Sequence, residues 1–392
     1  MVSPSNHERR KGDAGHVPLR TILATPATEC YLRCEMAVHA GVSYFSGRTL
    51  RHVRADLTDM VEHGCTYVVH CLTETDLAYY RQTMADIVRA THDAGLEAWL
   101  DPWGLVGIFS GETFTRFPLQ HPETWQVLSD GRRVPAACPN HPATRLFLRQ
   151  WVEDAAATGG DVIMWDEPHF YVGPWVGDLS GAWACRCDIC QAAFRERFGA
   201  AMPQRFDERA RAFREASLLE LLSDLCRLGH EKGMRNALCL VPTGFGRLGF
   251  PEVEERLARV APNEDVLGAF LHIGIDDWDA AAAIADLDVF GTDPYWYLWG
   301  VDPERLTRAC GQRAADAARA HGRDLQLWVQ AFSVPEGREE ELRLGLEVAA
   351  EVGASHVAAW SYEGTASMSI RCARPDVVWQ LLGEAFRDLR GR

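Results

Sequence analysis

A chain of 392 residues with 47% hydrophobic and 24% charged residues has the composition of a globular protein with a large buried core, which excludes a largely disordered chain. The formal net charge of −15 at pH 7 argues against a nucleic-acid or anionic-membrane surface, because the one basic run is Arg9, Arg10 and Lys11. No segment approaches the ~18 consecutive apolar residues that indicate a membrane span.

The polar residues 1–19 lack the apolar centre of a secretion signal and are predicted to be a disordered leader. Without such a signal, the 12 cysteines are expected to be thiols or metal ligands rather than disulfides. We therefore expect a cytoplasmic protein with no nucleic-acid or membrane partner. The sequence also allows a homo-oligomer.

Short apolar runs alternate with amphipathic stretches along the rest of the chain. Eight runs are predicted to be strands: 41–47, 65–72, 97–104, 161–168, 236–242, 288–297, 325–332 and 355–364. Helical patterns between them cover 48–64, 79–95, 303–322 and 338–353, and each ends in glycine, as helices commonly do. Eight such units predict a (β/α)8 TIM barrel, whose chemistry lies at the carboxyl ends of the strands. An open doubly wound sheet is the alternative, but the sequence lacks its glycine-rich phosphate turn.

Residues 20–392 are predicted to form this single catalytic barrel. Residues 105–160 and 168–235, after the third and fourth strands, are too long for simple loops and are expected to hold inserted helices. A further apolar run at 266–275 competes with 288–297 for the place of the sixth strand.

Carboxylates and aromatic residues recur where the later strands end. The predicted site residues are Asp101, Trp103, Asp166, Glu167, His169, Asp293, Tyr295, Trp296, Trp328, Gln330, Trp360, Tyr362 and Glu363. Taken singly, an Asp after a strand often caps a helix and a Trp in a strand is often part of the core. Together at one face they suit a small-molecule carbohydrate, whose ring faces stack on aromatic side chains while its hydroxyls bind carboxylates.

Three segments carry a resemblance to known enzymes: DVIMWDEPHF at 161–170, EAWLDPWG at 97–104 and CRCDICQAAFRERFG at 185–199. They resemble uncharacterised barrel-type glycosyl hydrolase families and, more distantly, the family 42 β-galactosidases. Similarity to the broader retaining clan implies an acid/base carboxylate at the end of the fourth strand, where Glu167 stands, and a nucleophilic one at the end of the seventh. Gln330 departs from this pattern, because an amide cannot form the glycosyl ester.

Three mechanisms are compatible with these residues, and all act on a small glycoside or oligosaccharide. In the first, Asp166 orients a 2-acetamido group of the substrate and Glu167 protonates the leaving oxygen, as the resemblance of Asp-Glu-Pro to family 123 enzymes implies. In the second, Asp166 is the nucleophile and Asp293 the acid/base. In the third, Glu167 is the acid and Glu363 or Asp293 activates water. A carboxyl separation of about 5–5.5 Å would indicate retention and one of about 6.5–9.5 Å inversion.

Adjacent residues of a strand face opposite ways, so Asp166 and Glu167 can share a site only if the strand bends as it ends. Pro168 ends the strand pairing there. We expect Glu167 to be the proton donor.

Cys185, Cys187 and Cys190 form a Cys-x-Cys-x2-Cys run, and Cys138 lies upstream. Three closely spaced thiols with a fourth brought near by the fold predict a tetrahedral structural zinc site. This zinc would join the two long segments within the insertion around 105–235. The resemblance to family 42 implies the same four ligands. No organic cofactor is expected.

Two other functional classes remain open. A sugar isomerase or epimerase would hold a divalent cation with Glu167, His169, His272, Asp293 and Glu363. A sugar-binding barrel without hydrolytic activity would account for Gln330.

Overall fold

The structure, a computed structural model, describes residues 38–391 except 46, 112 and 262. These residues belong to one compact unit, Met36–Arg392. The predicted leader at 1–19 lies outside the described residues. Within the described part of the chain, no helix has both the length and the apolar composition that crossing a membrane would require.

Eight parallel strands close into a barrel, which confirms the predicted fold. The ten strands are β1 (His39–Tyr44), β2 (Tyr67–Cys71), β3 (Glu97–Asp101), β4 (Trp125–Val127), β5 (Arg133–Ala137), β6 (Val162–Asp166), β7 (Arg235–Leu240), β8 (Val289–Thr292), β9 (Asp324–Gln330) and β10 (His356–Trp360). The barrel order is β1-β2-β3-β6-β7-β8-β9-β10, and β10 pairs back onto β1. Each of the eight predicted strands overlaps one barrel strand.

The four helices predicted from the sequence correspond to the first, third, twelfth and thirteenth helices of the structure. The helices of the structure surround the barrel. Their bounds are α1 (Leu50–Glu62), α2 (Glu74–Tyr79), α3 (Arg81–Asp93), α4 (Phe117–Gln120), α5 (Pro142–Ala157), α6 (Asp188–Phe198), α7 (Glu208–Glu231), α8 (Pro251–Val260), α9 (Glu264–Leu271), α10 (Trp278–Ala282), α11 (Trp296–Trp299), α12 (Pro303–Ala320), α13 (Glu341–Glu351) and α14 (Pro375–Arg390). The apolar run at 266–275 contributes to helix α9 and does not compete for the sixth strand.

The long segments after β3 and β6 contain the expected inserted helices. The first holds α4 and α5, together with an antiparallel pair, β4 and β5, which the sequence pattern did not predict. The second holds α6 and the 24-residue helix α7. These insertions stand at the carboxyl ends of two adjacent barrel strands, where they can form the walls of a site.

Alternate side chains of the strands fill the barrel interior. Tyr67 is fully buried, and its ring stacks on Trp99 at a centroid distance of 4.5 Å. Its hydroxyl donates to the carbonyl of Val357 at 2.9 Å and accepts a hydrogen bond from Gln326 at 3.0 Å. Gly41 on the neighbouring strand lies against this ring, and a Cβ there would come within 2.4 Å of it. The packing of the barrel therefore requires a residue without a side chain at position 41.

We expect Gly41→Ala to lower the free energy of unfolding by about 1–3 kcal/mol, the usual cost of overpacking a core. Gly268→Ala on α9 is the matched control, because its added Cβ would meet no atom within 4 Å. Urea unfolding of both variants measures the difference. Equal stability of the two variants would contradict the packing described for Tyr67.

Candidate active site

A cavity of about 1080 Å³ opens at the carboxyl ends of the barrel strands. Nine of the thirteen predicted site residues line it: Asp101, Trp103, Asp166, Glu167, His169, Asp293, Tyr295, Trp328 and Trp360. Asp101 and Asp166 are the last residues of β3 and β6, and Asp293 directly follows β8. Strand ends that are far apart in sequence thus bring their carboxylates into one space.

Glu167 turns the chain so that both members of the Asp166–Glu167 pair reach the cavity. Its φ of 37° lies in the left-handed region, which is uncommon for a residue with a side chain and costs on the order of 1 kcal/mol. The backbone N–H of Glu167 still donates to the carbonyl of Cys239 at 3.0 Å, so β7 holds the turn. The ring of His169 donates from Nδ1 to the carbonyl of Glu167 at 2.7 Å. Strand β6 therefore bends as it ends, as is needed for the adjacent residues Asp166 and Glu167 to share one site.

Asp293 is 4% exposed, and its Oδ1 has no hydrogen-bond partner among the described residues. Burial raises the pKa of this carboxyl well above its usual range. The charge of Glu167, a hydrogen bond between the two carboxyl groups and the charge of Asp166 raise the pKa further. These surroundings favour the protonated form of Asp293.

Gln330 and Trp296 do not line this cavity. The side chain of Gln330 accepts hydrogen bonds from the backbone N–H groups of Tyr297 at 3.0 Å and Leu298 at 3.3 Å, and donates to the carbonyl of Phe332 at 3.2 Å. It therefore holds the first turn of α11 in place. Trp296 is fully buried, and both residues border a separate cavity of about 1000 Å³.

Tyr362 and Glu363 also lie away from the cavity. The hydroxyl of Tyr362 donates to Asp59 on α1 at 3.1 Å, and the same carboxylate accepts from the indole of Trp379 at 2.8 Å. Burial raises the pKa of Glu363, and the nearby charges of Asp56 and Asp59 add to this. Among the described residues, Glu363 thus faces α1 rather than the other strand-end carboxylates.

Aromatic side chains form a continuous wall beside the carboxylates. Phe45 stacks on Trp103 at 5.0 Å and lies 5.4 Å from Trp360, and Phe332 links Trp360 to Tyr295 at 5.2 and 5.1 Å. Sequence reasoning missed Phe45 and Phe332. Phe45 is the first residue after β1 and Phe332 the second after β9, so the rule that identified Trp103, the second residue after β3, could have found them.

Glu74 fixes the loop that forms another side of the cavity. This carboxylate is 8% exposed and accepts hydrogen bonds from the backbone N–H groups of Arg116 and Phe117, each at 2.7 Å, and from the hydroxyl of Thr115. Thr113 and Thr115 line the cavity. No sequence signal pointed to Glu74, because its partners lie about 40 residues further along the chain, on a segment without a periodic pattern.

The four predicted metal ligands come together. The sulfur atoms of Cys138, Cys185, Cys187 and Cys190 all lie within 4.8 Å of one another. Cys138 Sγ is 3.4 Å from Cys190 Sγ and 3.7 Å from Cys187 Sγ, close to the about 3.8 Å that tetrahedral bonds of ~2.3 Å to zinc would give. The ten described cysteines are free thiols. This group of side chains could bind a metal ion.

A buried cation lies near the cysteine group. Arg214 is 8% exposed, and its guanidinium sits 5.1 Å from the ring of Phe170 and 5.3 Å from that of Phe206. Burial lowers the pKa of Arg214 to about 10, while the charge of Cys185 opposes this shift. Arg214 thus connects the cysteine group with the segment that follows Glu167.

The ligand set of the predicted cation-dependent isomerase is not assembled. In the described part of the chain, the four cysteines are the one group of three or more His, Cys, Asp or Glu residues whose donor atoms lie close enough to share an ion. His272 instead lies against Phe206 at 5.5 Å, and Glu363 faces α1.

Comparisons with known proteins support the fold. No protein-family model and no curated protein matches the chain. The catalytic domain of β-amylase from Paenibacillus polymyxa matches with a TM-score of 0.58 and 12% identity over 84% of this chain and 93% of that one. An endo-1,4-β-mannanase from Rhizomucor miehei matches with a TM-score of 0.57 and 9% identity over 91% and 96%. D-allulose 3-epimerase from Methylomonas sp. matches with a TM-score of 0.45 and 10% identity over 90% and 98%. At 12% and 9% identity, the likeness to the β-amylase and the mannanase concerns the fold alone.

The raised pKa of Asp293 predicts a stability that depends on pH. The folded protein holds this proton more tightly than the unfolded chain, whose Asp has a pKa of about 3.9. The resulting stabilisation is complete below that unfolded pKa and is lost as the pH rises toward the raised folded value. Asp293→Asn cannot ionise, so its melting temperature should exceed that of the wild type by a margin that grows from about pH 4 to pH 8.

Asp316→Asn, at an exposed position on α12, is the control and should show no such growing margin. Thermal unfolding by circular dichroism across the pH range provides the measurement. A constant difference between Asp293→Asn and the wild type would contradict a protonated Asp293.

Proposed function

We propose that the protein is a glycoside hydrolase that cleaves a small glycoside or oligosaccharide, with Glu167 as the proton donor. The observation that carries this proposal is the grouping of Asp166, Glu167 and Asp293 in one aromatic-lined cavity at the strand ends. Neighbouring carboxyl groups in such a site can divide the roles of proton donor and charge stabiliser.

In the reaction, Glu167 donates its proton to the glycosidic oxygen as the bond to the anomeric carbon breaks. Positive charge then develops on the sugar ring, and the nearby carboxylate of Asp166 stabilises it. The anomeric carbon then bonds to a nucleophile, and a water molecule completes the hydrolysis by giving its OH to that carbon and its other proton back to Glu167. Burial favours the protonated form of Asp293, which limits the negative charge beside Glu167.

Of the mechanisms compatible with the sequence, we favour substrate assistance, because Asp166 and Glu167 are adjacent at one strand end and both line the cavity. An acetamido nucleophile, oriented by Asp166, needs no second protein carboxylate at a set distance across the scissile bond. Sugars with a 2-acetamido group should therefore be the better substrates. Cleavage of 2-hydroxy sugars alone would favour Asp166 as the nucleophile and Asp293 as the acid.

The competing functional classes have less support in the structure. The side chains of a divalent-cation site are not brought together in the described residues. Gln330, which suggested a barrel without catalysis, accepts two hydrogen bonds from the backbone of α11, donates one to the carbonyl of Phe332, and lies outside the cavity.

The cysteine group fits a zinc ion, which would be held by Cys138, Cys185, Cys187 and Cys190. Four thiolates complete a tetrahedral shell, so a zinc ion there has no open position for a substrate and serves the structure. It would connect the end of β5 to the start of α6, and thus the two inserted segments to each other. The positive charge of Arg214 would offset part of the negative charge of the thiolates.

Glu167→Gln should lower kcat/KM by about 10²–10⁴-fold, because the amide has no acidic proton to donate. Hydrolysis of a panel of aryl glycosides, with and without a 2-acetamido group, measures this. Glu363→Gln, a carboxylate that lies outside the cavity, should retain activity, and circular dichroism should show both variants folded. Full activity of Glu167→Gln would contradict the assignment of Glu167 as the proton donor.

Elemental analysis of protein purified without a chelator should find about one zinc per chain. Cys190→Ser should lose the metal and melt at a lower temperature, because a tetrahedral shell would lack one ligand. Cys310→Ser, in the buried face of α12, is the control, because it changes the packing of a buried thiol but should keep the metal. Absence of zinc from the wild type would refute the site.

A further inference from the structure

The mouth of the active-site cavity carries four exposed apolar side chains. Trp175, Val176, Val260 and Leu298 line the cavity and are 44%, 68%, 64% and 62% exposed. They come from three separate segments: the 3-10 helix Gly173–Val176, the last turn of α8, and α11. Single apolar residues on a surface are ordinary, but their convergence on one opening from three segments indicates a binding surface.

The acidic side chains of the cavity lie at its base. Asp101 and Asp293 are only 3% and 4% exposed, and Asp166 and Glu167 stand at the end of β6. At the mouth, the guanidinium of Arg256 donates to the carbonyls of Gly300 and Trp299, so two of its hydrogen bonds are made within the protein. The inner end of a ligand therefore contacts carboxyl groups, and its outer end contacts mainly apolar side chains.

The negative charge at the base of the cavity favours neutral sugars over anionic ones. Four of the described lining residues are carboxylic acids, and burial lowers the pKa of His169, which keeps that ring neutral. An anionic sugar would meet this negative field in a space of low dielectric, where like charges repel strongly. A neutral sugar would instead donate its hydroxyl protons to the carboxylates.

From this arrangement we infer that the substrate is a neutral glycoside with an apolar alkyl or aryl aglycone. The inference rests on the proposed glycosidase function and specifies its substrate class. The sugar binds at the base beside Glu167, and the aglycone binds against Trp175, Val260 and Leu298. A volume of about 1080 Å³ is at the upper end for a site that takes one drug-sized ligand, so it accommodates a sugar with an attached group of similar size. A polymer of sugars would instead need hydroxyl-binding side chains at the mouth.

Binding to Glu167→Gln tests the inference without turnover. The probes are methyl and hexyl glycosides of glucose, galactose, mannose and N-acetylglucosamine in both anomers, measured by isothermal titration calorimetry. Each buried methylene contributes about a fourfold gain in affinity, so the hexyl glycoside should bind at least about tenfold more tightly than its methyl counterpart. Equal affinities would overturn the inference. Hexyl glucuronide should bind more weakly than hexyl glucoside, and tighter binding would overturn the requirement for a neutral sugar.

A matched pair of variants locates the aglycone. In the Glu167→Gln background, Leu298→Asn should reduce the ratio of hexyl to methyl affinity by about 3–10-fold, because a buried apolar contact is lost. Leu146→Asn changes a leucine that is 70% exposed on α5 and does not line the cavity, so the ratio should not change. Light scattering follows the mass of both variants. A change of mass in Leu298→Asn with an unchanged ratio would show that a second copy covers the mouth, and would overturn the inference.

Failure of the inference differs from failure of the proposed function. If the wild type hydrolyses methyl and hexyl glycosides with equal kcat/KM, the glycosidase function stands and the aglycone site is wrong. If no glycoside is hydrolysed but the hexyl preference and its loss in Leu298→Asn are observed, the apolar site stands and the hydrolase proposal fails.

Discussion

The pairing of β10 with β1 is the interaction on which the site depends. It closes the sheet, with His39 opposite His356 and Val42 opposite Ala359, and removes both edges. In a closed parallel barrel the carboxyl ends of all eight strands meet at one rim. Asp101, which is some 190 residues from Asp293, thereby borders the same cavity. An open sheet with the same strands would have spread these side chains along an edge.

The acidic base of the cavity is costly to the fold. Asp293 is buried without a positively charged partner among its described contacts, and Glu167 adopts a left-handed backbone. Both features oppose stability, and natural proteins retain such features mainly where function requires them. The fully packed interior below, around Tyr67 and Trp99, stabilises the barrel enough to hold them. The division between a dense lower barrel and a strained, acidic upper rim is the main energetic feature of this molecule.

The segments that surround the site are held by polar side chains in addition to the apolar core. Glu74 binds the loop after β3 through backbone N–H groups, and Gln330 does the same for α11. The four cysteines join the end of the β4–β5 pair to α6. In each case one side chain, or one small group of side chains, fixes a segment whose sequence has no regular hydrophobic periodicity. Small changes at these anchors would reshape the cavity while leaving the barrel intact.

The sequence by itself determined the barrel, the positions of its strands, the acidic strand ends and the four clustered cysteines. These follow from local patterns: the period of apolar residues, the glycine that ends a helix, and short spacings between thiols. The tertiary structure alone decided which strand-end side chains reach the cavity. Gln330 accepts a hydrogen bond from the backbone of Tyr297, and burial together with the charge of Glu167, 126 positions earlier in the numbering, raises the pKa of Asp293. Hydrogen-bond partners and burial depend on groups brought together from distant parts of the chain, and no local pattern records them.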